Sequence, residues 1–174
     1  FTYDVSVPTA TVVLPVDGGY YSVVKPLLTI SGTVYDQYTA INRVEASVQR
    51  LSDYWWWEDA NADGVGAWVS STTPKVVTLS TGPGVNDWRY ALGSAPWVHG
   101  LQYRVVSKAY DAGGTGQTYF GVGVASNTFT YDTGVPTGTV VLPAIGGYMN
   151  SGQVLITGTA VDSPGGIDKV EVAI

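Results

Sequence analysis

Asp59-Ala-Asn61-Ala-Asp63-Gly64 places side-chain oxygens at alternate positions and closes on a glycine. Oxygen ligands spaced in this way can converge on one hard cation such as calcium, the glycine permitting the sharp turn. Glu58 can add a further carboxylate. However, Ser70 occupies the twelfth position, where an EF-hand carries its closing glutamate, and no helical periodicity flanks the segment. A polar hairpin tip rich in turn formers is the competing reading. A second acidic set, Asp4, Asp36 and Asp111, is dispersed along the chain and can act together only if the fold gathers it.

Catalytic constellations are sparse. The chain has one histidine, His99, no cysteine, and no serine in a Gly-x-Ser-x-Gly setting. His99-Gly100 falls just before an alternating segment, the place of a turn histidine. Most of the 14 carboxylates fall in turns or on outward strand faces rather than as a glycosidase-like pair. Gly121-Val-Gly123 lies within a strand pattern and opens no helix, so it cradles no phosphate. The expectation is a protein that is not an enzyme.

The aromatic run Tyr54-Trp55-Trp56-Trp57, with Trp68, Trp88 and Trp97, offers contact surface. Consecutive strand residues alternate faces, so Trp55 and Trp57 share one side and Trp56 the other. Cross-strand packing, such as Trp55 against Trp68, is one outcome. An exposed indole stacking on a sugar or pressed on another protein is the other.

Extended segments must position these groups. Charged residues are 13% of the 174, whereas Val, Thr, Tyr, Trp and Gly abound, a profile of strands and turns. Period-two alternation dominates, predicting strands near 9–14, 27–35, 42–51, 66–70, 75–80, 87–92, 101–110 and 119–131. Val44, Ala46 and Val48 alternate with Arg43, Glu45, Ser47 and Gln49. Tyr103, Val105, Ser107 and Ala109 alternate with Gln102, Arg104 and Lys108. One apolar face per strand implies antiparallel sheets packed as a sandwich, with Tyr103 either a tyrosine corner or an ordinary core tyrosine. Asp17-Gly-Gly, Asp63-Gly64, His99-Gly100 and Asp111-Ala-Gly-Gly punctuate the strands. Net charge is −6 with the basic residues scattered, so no stripe suits nucleic acid, and no apolar run reaches membrane-spanning length.

The chain also repeats itself. Residues 1–21 match residues 129–149 at 15 of 21 positions, from Phe1-Thr-Tyr-Asp and Phe129-Thr-Tyr-Asp to the Gly-Gly-Tyr that ends each match. Ile30-Ser-Gly-Thr-Val-Tyr-Asp aligns with Ile156-Thr-Gly-Thr-Ala-Val-Asp, and Ile41-Asn-Arg-Val-Glu with Ile167-Asp-Lys-Val-Glu. The expected organisation is a tandem array: residues 1–4 end a preceding repeat, 5–132 form a complete domain, and 133–174 hold the first three strands of another. In such a sandwich Asp4, Asp36 and Asp111 meet at the junction where the first strand enters, and Asp132 and Asp162 repeat the first two positions. Calcium bound there would stiffen the array. Turn capping by Asp36 and Asp111 is the alternative.

The chain resembles bacterial immunoglobulin-like repeats of very large secreted or surface-attached proteins. The likeness rests on Asn127-Thr-Phe-Thr-Tyr-Asp132 with Pro136, Ile30-Ser-Gly-Thr with Asp36, and Ile41-x-x-Val44-Glu45. It continues through Tyr54-Trp55 with Trp68, Trp88-Arg-Tyr90, and Tyr103-Arg-Val105 leading to Ala109-Tyr-Asp111-Ala-Gly113. It covers the whole unit. The extra Trp56 and Trp57 and the longer turn at 58–64 depart from it. The resemblance implies an immunoglobulin-like sandwich and a structural role in an extracellular rod, filament or adhesin stalk of bacteria. Its partners would be neighbouring repeats, or other copies by strand complementation. The alternative function is a carbohydrate-binding module whose aromatic platform at 54–58 is supported by the calcium loop, with a glycan as partner.

Overall fold

A computed structural model describes residues 3–59, 65–71, 75–76, 78–80, 86–93, 97–118, 120–148, 150, 152 and 155–173. Thirteen strands occur among them, and no helix: β1 (Thr9–Ala10), β2 (Gly19–Tyr21), β3 (Thr29–Tyr35), β4 (Ile41–Arg50), β5 (Trp56–Glu58), β6 (Ala67–Val69), β7 (Lys75–Val76), β8 (Thr78–Ser80), β9 (Asn86–Ala91), β10 (Gln102–Asp111), β11 (Ser126–Tyr131), β12 (Thr137–Leu142) and β13 (Thr157–Val161). No helix among the described residues is long and apolar enough to cross a membrane.

The strands form one sheet in the order β1-β3-β9-β8, a second in the order β2-β11-β10-β4-β5-β6, with β7 also on β4, and a separate two-stranded sheet of β12 and β13. Ile30, Val34, Trp88 and Tyr90 of the first sheet and Val44, Ala46, Val48, Tyr103, Val105, Ala109 and Phe129 of the second share one buried core. The described residues are therefore all-β, the two larger sheets closed face to face as a sandwich and the β12-β13 pair outside its core. The alternation in 41–50 and 102–111 places the residues as expected: Val44, Ala46, Val48, Tyr103, Val105, Ser107 and Ala109 are all buried. Tyr103 Oη accepts the Val98 N–H at 2.8 Å, five residues upstream, which is tyrosine-corner geometry.

The segment 8–15 straddles both sheets. Thr11 N–H and Val13 N–H bond to Thr33 and Ser31 in the first, whereas Val12 N–H bonds to Val124 O beside the second. Buried side chains complete the strap. Gln117 Oε1 accepts from Ala10 N–H (2.9 Å) and Ala109 N–H (3.2 Å), and its amide donates to Ala10 O. Asn127 donates to Val12 O and Pro15 O, and the Trp88 indole donates to Thr11 O. The crossing is so close at Gly32 that a β-carbon there would stand 1.7 Å from Thr11 O.

Some elements differ from expectation. The strand predicted over 119–131 starts only at Ser126, because Val124, Ala125 and Ser126 N–H groups all turn onto Gly121 O. β2 and β5 were not predicted. In the repeated segment, β12 pairs with β13 in the register of β1 with β3: Thr137↔Val161 matches Thr9↔Tyr35, and Gly138↔Ala160 matches Ala10↔Val34. The Thr11–Thr33 hydroxyl contact (2.8 Å) recurs as Thr139–Thr159 (2.7 Å). A third strand is not formed at 167–173. Its counterpart β4 is shaped by pairing along the length of β10, and no such neighbour flanks 167–173 among the described residues.

Candidate functional site: a carboxylate cluster at one end of the sandwich

Asp111 ends the inward-facing series Tyr103, Val105, Ser107, Ala109 of β10, so the alternation that fills the core also buries a carboxylate at its rim. The pairing of β10 with β4 shifts register between Tyr110 and Asp111, a bulge that ends the ladder there. Asp36 follows β3, and Asp4 precedes β1, which pairs with β3. The three strand ends thus deliver three carboxylates to one place. One oxygen from each lies within 4.8 Å of one from each of the others, with Asp111 fully buried and the other two half-buried. The meeting of Asp4, Asp36 and Asp111 agrees with the expectation for an immunoglobulin-like sandwich, in which these loops share the end where the first strand enters.

Local hydrogen bonds fix each group. Asp4 Oδ1 accepts the Ser6 N–H at 2.7 Å and lies 2.6 Å from Ser6 Oγ. Ser6 Oγ also lies 3.1 Å from both oxygens of Asp36. Asp36 Oδ1 accepts the Tyr38 and Thr39 N–H groups, each at 2.9 Å. Asp111 Oδ1 accepts the Thr115 N–H at 2.7 Å. Turn capping is therefore present, yet it uses only some of the oxygens. The hydrogen bonds from Ser6 hold the Asp4 carboxyl below its ordinary value. Burial pushes Asp36 upward, but the N–H groups of Thr39 and Tyr38 outweigh it and the net direction is down. Ser6 was not singled out in the sequence; a serine two residues after an aspartate signals little by itself.

The second copy of the linker shows half of this arrangement. Asp132 Oδ1 accepts the Gly134 N–H at 2.7 Å, as Asp4 does from Ser6, and Asp132 Oδ2 accepts the Gly165 N–H at 2.8 Å. A β-carbon built on Gly134 would lie 3.0 Å from an oxygen of both Asp132 and Asp162, so the two carboxylates flank that glycine. His99 Nδ1 accepts the Thr133 N–H at 3.1 Å and lies 3.2 Å from Asp132 Oδ1.

Of the proposed calcium loop, Asp59 is buried at the end of β5, whereas Asn61 and Asp63 lie outside the described residues. The aromatic run divides differently from the expected Trp55–Trp68 pairing. Tyr54 takes a φ of 62° and the strand begins at Trp56, so Trp57 is the indole opposite Trp68, ring centroids 5.4 Å apart. Trp68 continues to Tyr103 and Trp97, and Trp97 to Phe129. Trp57 is thereby committed to the core and Trp56 is half-buried. Only Tyr54 and Trp55 of the run are exposed, at 68% and 42%. Compared with protein-family models and with curated proteins, the chain matches none.

Proposed function

We propose that this chain is a non-catalytic structural repeat: an immunoglobulin-like unit of a tandem array that acts as an extracellular spacer, the shaft of a bacterial rod, filament or adhesin stalk. The supporting observation is the anchoring of the linker on both sides of Asp132. Before it, β11 pairs with β10 and, in parallel, with β2. Tyr131 N–H bonds to Leu101 O, Gly100 N–H to Tyr131 O, and Asp132 N–H to Tyr21 O. After it, the same residue's carboxylate holds Gly134 and Gly165 of the repeated segment. Bonds on both sides of Asp132 resist bending at that residue, and Pro136 limits the freedom of the backbone that follows. The duplicated sequence and the shared strand register support an array rather than a single module.

A protein carrying two successive copies of residues 5–132 tests this reading by small-angle scattering. An extended particle with a well-defined long dimension agrees with a spacer; a compact or freely hinged one refutes it. The carbohydrate-binding reading has only Tyr54 and Trp55 as exposed aromatics of the run. Glycan binding that Trp55→Ala abolishes would favour that reading instead.

A further inference from the structure

We infer that Asp4, Asp36 and Asp111 bind a calcium ion. The cluster carries more negative charge than its donors answer. Ser6 Oγ has one proton for three acceptors within 3.1 Å: Asp4 Oδ1 and both oxygens of Asp36. Asp4 Oδ2 and Asp111 Oδ2 are buried and have no hydrogen-bond partner, and Asp111 is fully buried. None of the ion pairs among the described residues involves these three carboxylates. A buried charge left in this state is strongly unfavourable unless a cation completes it.

The donor chemistry selects the ion. The three carboxylates and the Ser6 hydroxyl are all oxygen donors, the set that suits a hard cation rather than zinc or copper. Two oxygens each about 2.4 Å from one calcium ion can stand at most about 4.8 Å apart, a limit that the three carboxylates meet. Magnesium demands near-ideal octahedral geometry and keeps several waters, which a fully buried Asp111 at the strand end accommodates poorly. At the second joint Asp132 Oδ2 is already taken by Gly165 N–H, so the unsatisfied oxygens are a property of the three-carboxylate end. The assignment of the ion stands on this cluster; its effect, stiffening the joint at which the chain enters the sandwich, rests on the spacer reading.

The test is calorimetric titration of the chelator-treated 174-residue chain with calcium chloride and, separately, magnesium chloride, alongside thermal unfolding with and without calcium. The expected result is one calcium equivalent bound, more tightly than magnesium, and a higher Tm in calcium. Asp36→Asn and Asp111→Asn should each weaken calcium at least tenfold. Asp111→Asn should also raise Tm in chelator, because it removes an unanswered charge, and lower it in calcium. A variant that merely damaged the fold would lower Tm in both. Absence of calcium binding at millimolar concentration would overturn the inference and favour a proton shared among the carboxylates. Binding that survives both variants but is lost in Asp63→Asn would overturn it too, moving the ion to the 58–64 loop. Tighter magnesium binding would overturn the choice of ion. Scattering from the two-copy protein separates the outcomes: a rigid rod without calcium binding sinks the ion alone, and calcium binding with a free hinge sinks the spacer alone.

Discussion

Asp132 Oδ2 accepts the backbone N–H of Gly165 at 2.8 Å, joining the end of one sandwich to a turn 33 residues further along the chain. The same carboxylate accepts Gly134 N–H through its other oxygen, so a single side chain holds both the linker and the turn after β13. Charge-assisted bonds of this kind contribute about 1.5–3 kcal/mol each.

Replacing Asp132 by Ala should therefore loosen the joint without unfolding residues 5–132. Amide hydrogen exchange at Gly134 and Gly165 should accelerate at least tenfold, while exchange in β4 and β10 stays unchanged. Unchanged protection at both glycines would show that the carboxylate does not hold the joint.

Gly32→Ala tests the strap over the first sheet. The added methyl would stand 1.7 Å from Thr11 O and 2.7 Å from the Trp88 indole, so backbone must move. Overpacking of this kind costs about 1–3 kcal/mol or more, read as a fall in the urea midpoint. A neutral result would mean that the strap shifts freely.

Tyr103→Phe removes the hydroxyl that accepts Val98 N–H while leaving the ring stacked on Phe129, centroids 5.3 Å apart. The loss should be about 1 kcal/mol in urea unfolding, the net value of a hydrogen bond. A negligible loss beside a large one for Tyr103→Ala would place the contribution in the ring contacts instead.

Acid stability should depend on Asp53. Its carboxyl lies below the ordinary 3.8 chiefly because Arg50 hydrogen-bonds to it, with help from the Trp55 N–H. A folded value below the unfolded one means the folded chain binds that proton less readily. The contribution is present above pH 3.8 and lost as pH falls through the lower folded value. Asp53→Asn should flatten the stability profile below pH 4 and leave its shape near neutrality intact. An unchanged acid limb would assign the slope to other carboxylates.

The alternation of 102–110 was legible because each inward residue is apolar or small; Asp111, which reads as the start of an Asp-Ala-Gly-Gly turn, is instead the last, inward residue of the strand. Turn positions brought Asp4, Asp36 and Asp111 together only once the strands were read as an immunoglobulin-like sandwich, whose topology puts these loops at one end. β2 was hidden because Gly19-Tyr20-Tyr21 follows Asp17-Gly18 and reads as a turn; its partner is β11, more than a hundred residues away. Trp57 rather than Trp55 faces Trp68 because the left-handed backbone at Tyr54 delays the strand, a choice no side-chain period encodes. Gln117 and Asn127 are buried polar residues whose partners are backbone groups of 10–15 and of Ala109, and such long-range satisfaction leaves no local pattern.

The rigidity of the joint at Asp132 is most directly measured by the distance distribution between spin labels placed on either side of it. The chain has no cysteine, so Gln102→Cys on β10 and Val141→Cys on β12, both exposed, label two strands cleanly. Pulsed electron–electron resonance should give one narrow distance peak that broadens when Asp132→Ala is added. A broad distribution in the unaltered joint, unchanged by Asp132→Ala, would contradict the spacer account.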